Sequence, residues 1–301
     1  MFEKIAIDII SDLHLDMYTN SFSSFTGNSI ESIDRFTDKF FTRKGDVLIL
    51  AGDITHANHE LPKLFTNLGE KYKKILVIPG NHDFYLIKHY MSKDEEYSED
   101  RYQNLLKACN NTEGKVVLLN CDYHTYEGIT FFGMMGWYDG LYAKKHFNYT
   151  EANVNNLYRA VMNDSRLIKF RDDDNTNMFN RSARERIKME NLGVLRKADV
   201  FISHCVPSLD KRLIHPDFRD EVSTCFYTFD GAEYIRQIDP KLVIHGHTHR
   251  PMVNNYEGRT YIVNPLGYPH ENINVHGPHR VHIDRKELVL NQVSVVSEGE
   301  K

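Results

Sequence analysis

Little in this chain points to a specialised class. Its 301 residues include four cysteines (Cys109, Cys121, Cys205 and Cys225) with no C-x-x-C spacing and no secreted-scaffold pattern. Buried free thiols and a reducing compartment are the expectation. No stretch of 18 apolar residues occurs, and the first residues run into a strand without the charged region, apolar stretch and cleavage site of a leader. Neither a membrane span nor export is expected, and a cytoplasmic location follows. The net charge of -5 gives no broad basic field for attachment to long nucleic acid. Repeats, low-complexity tracts and heptads are missing, while the 41% hydrophobic and 26% charged shares are those of a globular chain. Histidine is what the chain has in quantity: there are 16.

The length suits one large α/β domain, expected here to cover residues 1–301. Residues 4–11 read as a strand, and Val47-Leu48-Ile49-Leu50 and Ile75-Leu76-Val77-Ile78 are short apolar runs suited to strands buried on both faces. Between the latter two, Leu61, Leu64, Phe65 and Leu68 follow helical spacing, which gives a β-α-β crossover and a parallel sheet. Further strands are expected at 116–119, 129–134, 200–203, 242–245, 261–263 and 288–296. So many strands with few helices between them predict a second sheet packed on the first, helices outside. Two stretches stand apart as insertions. Residues 16–44 are polar and aromatic. Residues 140–190 carry helical segments at 153–164 and 181–196, separated by Arg171-Asp172-Asp173-Asp174-Asn175, read as a solvated loop.

Five segments place acidic, amide and imidazole groups at strand ends: Asp12-Leu13-His14, Gly52-Asp53, Gly80-Asn81-His82-Asp83, Ser203-His204 and Gly246-His247-Thr248-His249. Singly, each reads more readily as a turn, a cap or a hydrogen-bonded histidine. Jointly they change meaning, because ligands gather outside the carboxyl ends of strands in open α/β sheets. Carboxylates crowded there without a cation would repel one another. Asp, His and Asn without thiolate fit Mn, Fe or Zn, and so many imidazoles suit Mg or Ca less well. A carboxylate such as Asp53 can bridge two ions, and two-metal sites activate water and clamp phosphoryl oxygens. Phosphate ester hydrolysis is the chemistry this set serves.

Taken in order, these segments resemble the motifs D-x-H, G-D, G-N-H-D/E, a single His and G-H-x-H of the calcineurin-like metallophosphoesterase superfamily. The resemblance implies an αββα sandwich, with two mixed β-sheets flanked by helices, and a binuclear metal site. It implies that Asp12, His14, Asp53 and His249 hold one divalent ion, and that Asp53, Asn81, His204 and His247 hold the other. Mn, Fe or Zn are the expected metals, with Ni and Mg as further candidates. Water bridging the ions would attack phosphorus in line. His82 would stabilise or protonate the leaving oxygen and Asp83 would orient it, alongside the alternative of Asp83 capping a helix at 84–91. Gly136-Trp137-Tyr138-Asp139, Ser203-His204-Cys205-Val206-Pro207-Ser208 and Asn264-Pro265-Leu266-Gly267-Tyr268 look like corresponding stretches of a group of prokaryotic and viral predicted phosphoesterases.

Specificity must then come from loops, where His56, Asn58, Tyr85, Trp137, Asp139 and Arg250 are candidate substrate contacts. Trp137, the sole tryptophan, could stack on a base or pack in the core; Arg250 could meet an anion or form a structural ion pair. Arg159, Arg166, Lys169 and Arg171 could belong to a lid or to a surface decoration. The expected substrate is small, phosphorylated and nucleotide-like. A nuclease is the alternative that shares these motifs. A protein phosphatase is disfavoured because Gly52-Asp53-Ile54-Thr55-His56-Ala57-Asn58 lacks the Asp-Arg of G-D-x-x-D-R-G. A non-catalytic binding module ranks low, since no ligand position is missing.

Overall fold

The computed structural model describes residues 4–19, 29–171, 176–271, 273 and 276–284. The expected strand at 288–296 and the acidic residues 172–175 lie outside them. Strands β1 (Lys4–Ile10), β2 (Gly45–Ala51), β3 (Tyr72–Ile78) and β4 (Val116–Leu118) run parallel, and β5 (Asp122–Tyr126) opens a second sheet. That sheet continues through β6 (Ile129–Gly133), β7 (Val200–Ile202), β8 (Leu242–His245), β9 (Met252–Tyr256) and β10 (Arg259–Val263). β11 (His279–Asp284) returns to the first sheet. The orders are β11-β1-β2-β3-β4 and β5-β6-β7-β8-β10-β9. Both sheets are mixed: β11 is antiparallel to β1, β5 to β6 and β9 to β10, around parallel centres.

The apolar runs explain the layering, because alternate side chains of a strand face opposite sides. Val47, Ile49, Leu76 and Ile78 enter a core shared with Phe131, Val200, Ile202, Leu242 and Ile244 of the second sheet. Leu48, Leu50, Ile75 and Val77 face the other way. There they meet Ile33 and Phe36 of α1 (Ser29–Phe40), Leu64 and Phe65 of α2 (Leu61–Gly69), and Leu105 and Cys109 of α3 (Ser98–Asn110). The second sheet turns Phe132, Phe201 and Val243 outward onto α4 (Leu141–Phe147), α5 (Glu151–Val161), α6 (Asp164–Leu167), α7 (Phe179–Asn191) and α8 (Ala232–Ile238), through Tyr142, Tyr158, Met189 and Ile235. The result is the four-layer αββα arrangement.

Three expectations are corrected. Residues 29–40, within a stretch that did not fit the frame, form α1, since Ile33, Phe36 and Phe40 share one helical face. Polar β5 and β9 escaped notice because they are edge strands with half-exposed faces. No helix follows residue 84: only the short turn His82–Phe84 forms, so Asp83 caps nothing. All four cysteines are buried free thiols, as expected. No helix among the described residues is long and apolar enough to cross a membrane.

Candidate metal centre

The ligand segments leave the carboxyl ends of five strands, and those after β1, β2 and β8 do so in a strained conformation. Asp12, His14, Asp53, His247 and His249 all have left-handed backbones, with φ of 51°, 42°, 56°, 67° and 48°. This costs roughly 1–2 kcal/mol per non-glycine residue. Cross-links between the loops hold it. Asp12 N–H donates to Gly52 O (3.0 Å), His14 N–H to Asp53 O (3.0 Å) and Gly246 N–H to His204 O (2.9 Å), while His247 N–H donates to Asp12 Oδ1 (3.0 Å). Glycine is required where loops meet: a Cβ on Gly52 would lie 2.2 Å from His204 Nδ1, and one on Gly80 2.1 Å from Asp53 Oδ1.

Two donor groups result, Asp12, His14, Asp53 and His249 in one and Asp53, His204 and His247 in the other; the ligand atoms of each lie within 4.8 Å of one another. Asp53 belongs to both. His14 Nε2 is 3.1 Å from His249 Nε2 and 3.9 Å from Asp53 Oδ2. His249 Nε2 is 3.4 Å from Asp12 Oδ1, and His204 Nε2 is 3.4 Å from Asp53 Oδ1 and 3.1 Å from the Asn81 amide oxygen. The tautomers are set from behind. His204 Nδ1 donates to Ala51 O (2.9 Å), His247 Nε2 to Phe226 O (2.9 Å) and His249 Nδ1 to Glu271 Oε2 (2.7 Å), so each turns its other nitrogen inward.

The charges at the site pair carboxylates with imidazoles, a balance that a cation can take over. Burial pushes the Asp12 carboxyl up, but His249 and His204 more than offset this and hold it at about 2; burial pushes Asp53 up as well, yet His204 and His82 bring it well below the carboxylate range. Burial lowers His204 and His249, yet Asp53 and Asp12 raise the first to about 9, and Asp12 and Glu271 raise the second to about 10. Bound divalent ions would displace those protons. Converging inward nitrogens, ionised buried carboxylates and the partnerless buried His14 Nδ1 make this donor set fit oxygen- and nitrogen-loving metals.

His82 lies beside both groups. Its backbone N–H donates to Asp53 Oδ1 (2.8 Å), its ring stacks on Tyr85 at 4.2 Å, and its Nε2 is 3.4 Å from Tyr268 Oη. Burial lowers its pKa to about 4. Asp83 does not orient it: the carboxylate accepts instead from the backbone N–H of Gly80 (2.8 Å), Asp53 (3.1 Å) and Ile54 (3.0 Å), tying the third motif to the second. Burial and Asp53 raise its pKa to about 6. What touches the His82 ring edge is His56 Nε2, 2.8 Å from Nδ1.

The substrate contacts expected from the loops are mostly corrected. Trp137 is 7% exposed and packs between Phe84 and the Arg181 guanidinium, each at 5.5 Å. Asp139, also buried, closes a turn by accepting from Leu141 N–H (3.0 Å) and Asp230 N–H (2.8 Å). Arg250 takes the ion-pair alternative, with Nε 3.2 Å from Asp217 Oδ2. His56 and Tyr85 are buried behind His82, and Asn58 donates to Arg101 O (3.1 Å). Arg159 and Arg166 bond to the nearby Asn156 and Asn163, while Lys169 and Arg171 sit over Tyr97.

Four functional neighbours escaped the sequence reading. Glu271 backs His249, Asp16 backs His56 (Oδ2 to Nδ1, 2.9 Å), and Tyr268 stacks on His14 at 4.3 Å. Asp164, at the start of α6, is fully buried behind Asn81 and accepts from its amide (3.0 Å), from Tyr85 Oη (2.5 Å) and from Tyr138 Oη (2.7 Å). The alternation Asp12-x-His14-x-Asp16 and the quoted run ending at Tyr268 were signals for two of these; nothing local marks Asp164.

The chain is 25% identical over 300 residues to the uncharacterized protein L509 of Acanthamoeba polyphaga mimivirus, covering 94% of this chain and 98% of that one. The phosphopantetheinyl hydrolase PptH of Mycobacterium tuberculosis shares the fold, at a TM-score of 0.63 and 20% identity over 90% of this chain and 92% of that one. A dimetal phosphatase from Danio rerio aligns at a TM-score of 0.43 and 11% identity, covering 93% and 92%. The model of the calcineurin-like phosphoesterase family matches residues 5–251, and the chain belongs to that family, a metal-dependent phosphoester hydrolase by membership.

Proposed function

We propose that this enzyme hydrolyses a small, nucleotide-like phosphate ester, with Asp12, His14, Asp53 and His249 holding one divalent ion and Asp53, Asn81, His204 and His247 the other. The observation that carries the reading is the sharing of Asp53 between two buried donor groups, with His82 alongside. When bound, the ions supply charge for the phosphoryl oxygens and lower the pKa of water. The chain's own residues do the rest. Asp53 positions His82 through the backbone N–H, and Glu271, Ala51 O and Phe226 O keep imidazole lone pairs facing inward. As water oxygen bonds to phosphorus, the bond to the leaving oxygen breaks with its electron pair, and that oxygen takes a proton that His82 Nε2 has drawn from solvent. The proton lost by water leaves on the phosphate product or to solvent.

The half-exposed rings of Tyr90 and Tyr268 and the exposed His270, stacked on Tyr268 at 5.5 Å, offer faces on which a base can stack. Mn, Fe and Zn are the metals the ligands favour, with Ni and Mg to be compared. The test is a hydrolysis screen over cyclic nucleotides, nucleoside mono- to triphosphates, dinucleotides, a phosphopantetheinyl ester, phosphopeptides, and single- and double-stranded DNA with each metal. A small nucleotide-like ester is expected to turn over fastest. Faster cleavage of DNA would replace this reading with the nuclease one. Asp53→Asn is expected to abolish turnover and weaken binding of both ions together; hydrolysis by that variant stripped of metal would overturn the scheme.

A further inference from the structure

We propose that Asp16 and His56 are positioning residues that fix the tautomer and ring orientation of His82, forming a carboxylate–imidazole–imidazole chain aimed at the departing oxygen. The inference rests on the leaving-group role given to His82 above. Its evidence is a line of three side chains, Asp16 and His56 buried and His82 half-buried at the site. Asp16 Oδ1 accepts from the His56 backbone N–H (2.9 Å) and from Thr55 Oγ1 (3.2 Å), and Oδ2 lies 2.9 Å from His56 Nδ1. A carboxylate only accepts, so His56 Nδ1 carries the hydrogen.

The next contact is His56 Nε2 on His82 Nδ1 across 2.8 Å. In the proposed chain His56 Nε2 accepts and His82 Nδ1 donates, which leaves His82 Nε2 as the working nitrogen, toward Tyr268 Oη. A second proton, taken up from solvent at Nε2, can pass to the departing oxygen and leaves His82 in the Nδ1–H tautomer that His56 enforces, so no ring flip accompanies the transfer. The chain is also rigid. The buried Arg101 donates to His56 O (2.6 Å) while paired with Glu95 at 2.9 Å, and the His56 ring stacks with Tyr85 and Tyr90 at 5.7 and 5.8 Å. A connected buried network of this kind favours one arrangement of the His56 ring.

Two near-isosteric variants separate positioning from packing. The Asn amide reaches only the Nδ1 position of histidine, keeping Asp16 and losing His82, whereas the Gln oxygen reaches the Nε2 position and still accepts from His82. With metal-loaded enzyme, His56→Asn is expected to slow hydrolysis of phenyl phosphate esters about 100-fold or more, the low end of acid–base contributions. p-Nitrophenyl esters, which depart without a proton, should slow by less than about 10-fold. His56→Gln should recover most of the loss on phenyl esters, with metal content unchanged in both. Equal losses on the two esters, or indistinguishable Asn and Gln variants, would overturn the proposal. Ring-¹⁵N NMR of the unsubstituted, metal-free protein gives a readout independent of turnover: neutral His82 should carry its hydrogen on Nδ1, and finding it on Nε2 would reject the chain of bonds. If neither ester is hydrolysed, the function reading fails and the NMR result still decides the relay.

Discussion

Glu60 is buried below the segment that carries His56. Its oxygens accept from Thr19 Oγ1 (2.8 Å) and Thr55 Oγ1 (3.3 Å). Burial, helped by Asp16, raises its pKa from 4.5 to about 7. A raised folded-state value means that its contribution to stability is full below pH 4.5 and is lost as pH climbs through about 7. Glu60→Gln keeps an acceptor and cannot ionise. The variant is expected to melt above the parent at pH 8, by up to roughly 3 kcal/mol, and not above it at pH 4.5; thermal melts at both pH values check this. Glu60 also shows what sequence can reveal of single residues. The six residues of the two donor groups were legible because each sits in a short motif at a strand end. Asp16, Asp164 and Glu271 act through contacts 40, 83 and 22 residues distant in sequence, and such pairings leave no local spacing to read.

At the scale of elements, the stretch at 140–190 is more than an attachment to the second sheet. It brings in α6, whose Asp164 grips Asn81, and α7, whose Glu185 accepts from Gly136 N–H (3.0 Å) and Trp137 N–H (2.7 Å). Donating its amide hydrogens to Asp164 turns the Asn81 oxygen toward His204. Asp164→Ala is therefore expected to weaken one of two bound metals by about 10–100-fold, the range for outer ligand supports. Chelator-competition titration should show one class of site weakened and the other kept; equal affinity of both would refute the support. Helices with apolar spacing, such as α2, were readable from sequence, and so were strands buried on both faces. Edge strands β5 and β9 were not, because half their side chains face water and their apolar signal is diluted.

For the whole molecule, five left-handed ligand residues at one end of both sheets imply a metal-free state under strain. Stripping metal should lower the melting temperature, and readdition of Mn or Zn should restore it. An ion at a thousandfold its Kd stabilises by about 4 kcal/mol, and an unchanged melt after complete chelation would show that the loops do not need the ions. The architecture was legible from the order of strands and motifs, but the closing strand was not: β11 pairs back to β1, Lys4 opposite Asp284, and Ser11 bridges to Pro265. That pairing sets a clock for biosynthesis. β1 is made first and shows a bare isoleucine-rich edge until residues 279–284 emerge, roughly 15–55 s later at ordinary translation speeds. The growing chain thus holds β1 paired to β2 on one side and open on the other until β11 is made, and the two donor groups are complete only once His204, His247 and His249 have followed Asp12, His14 and Asp53.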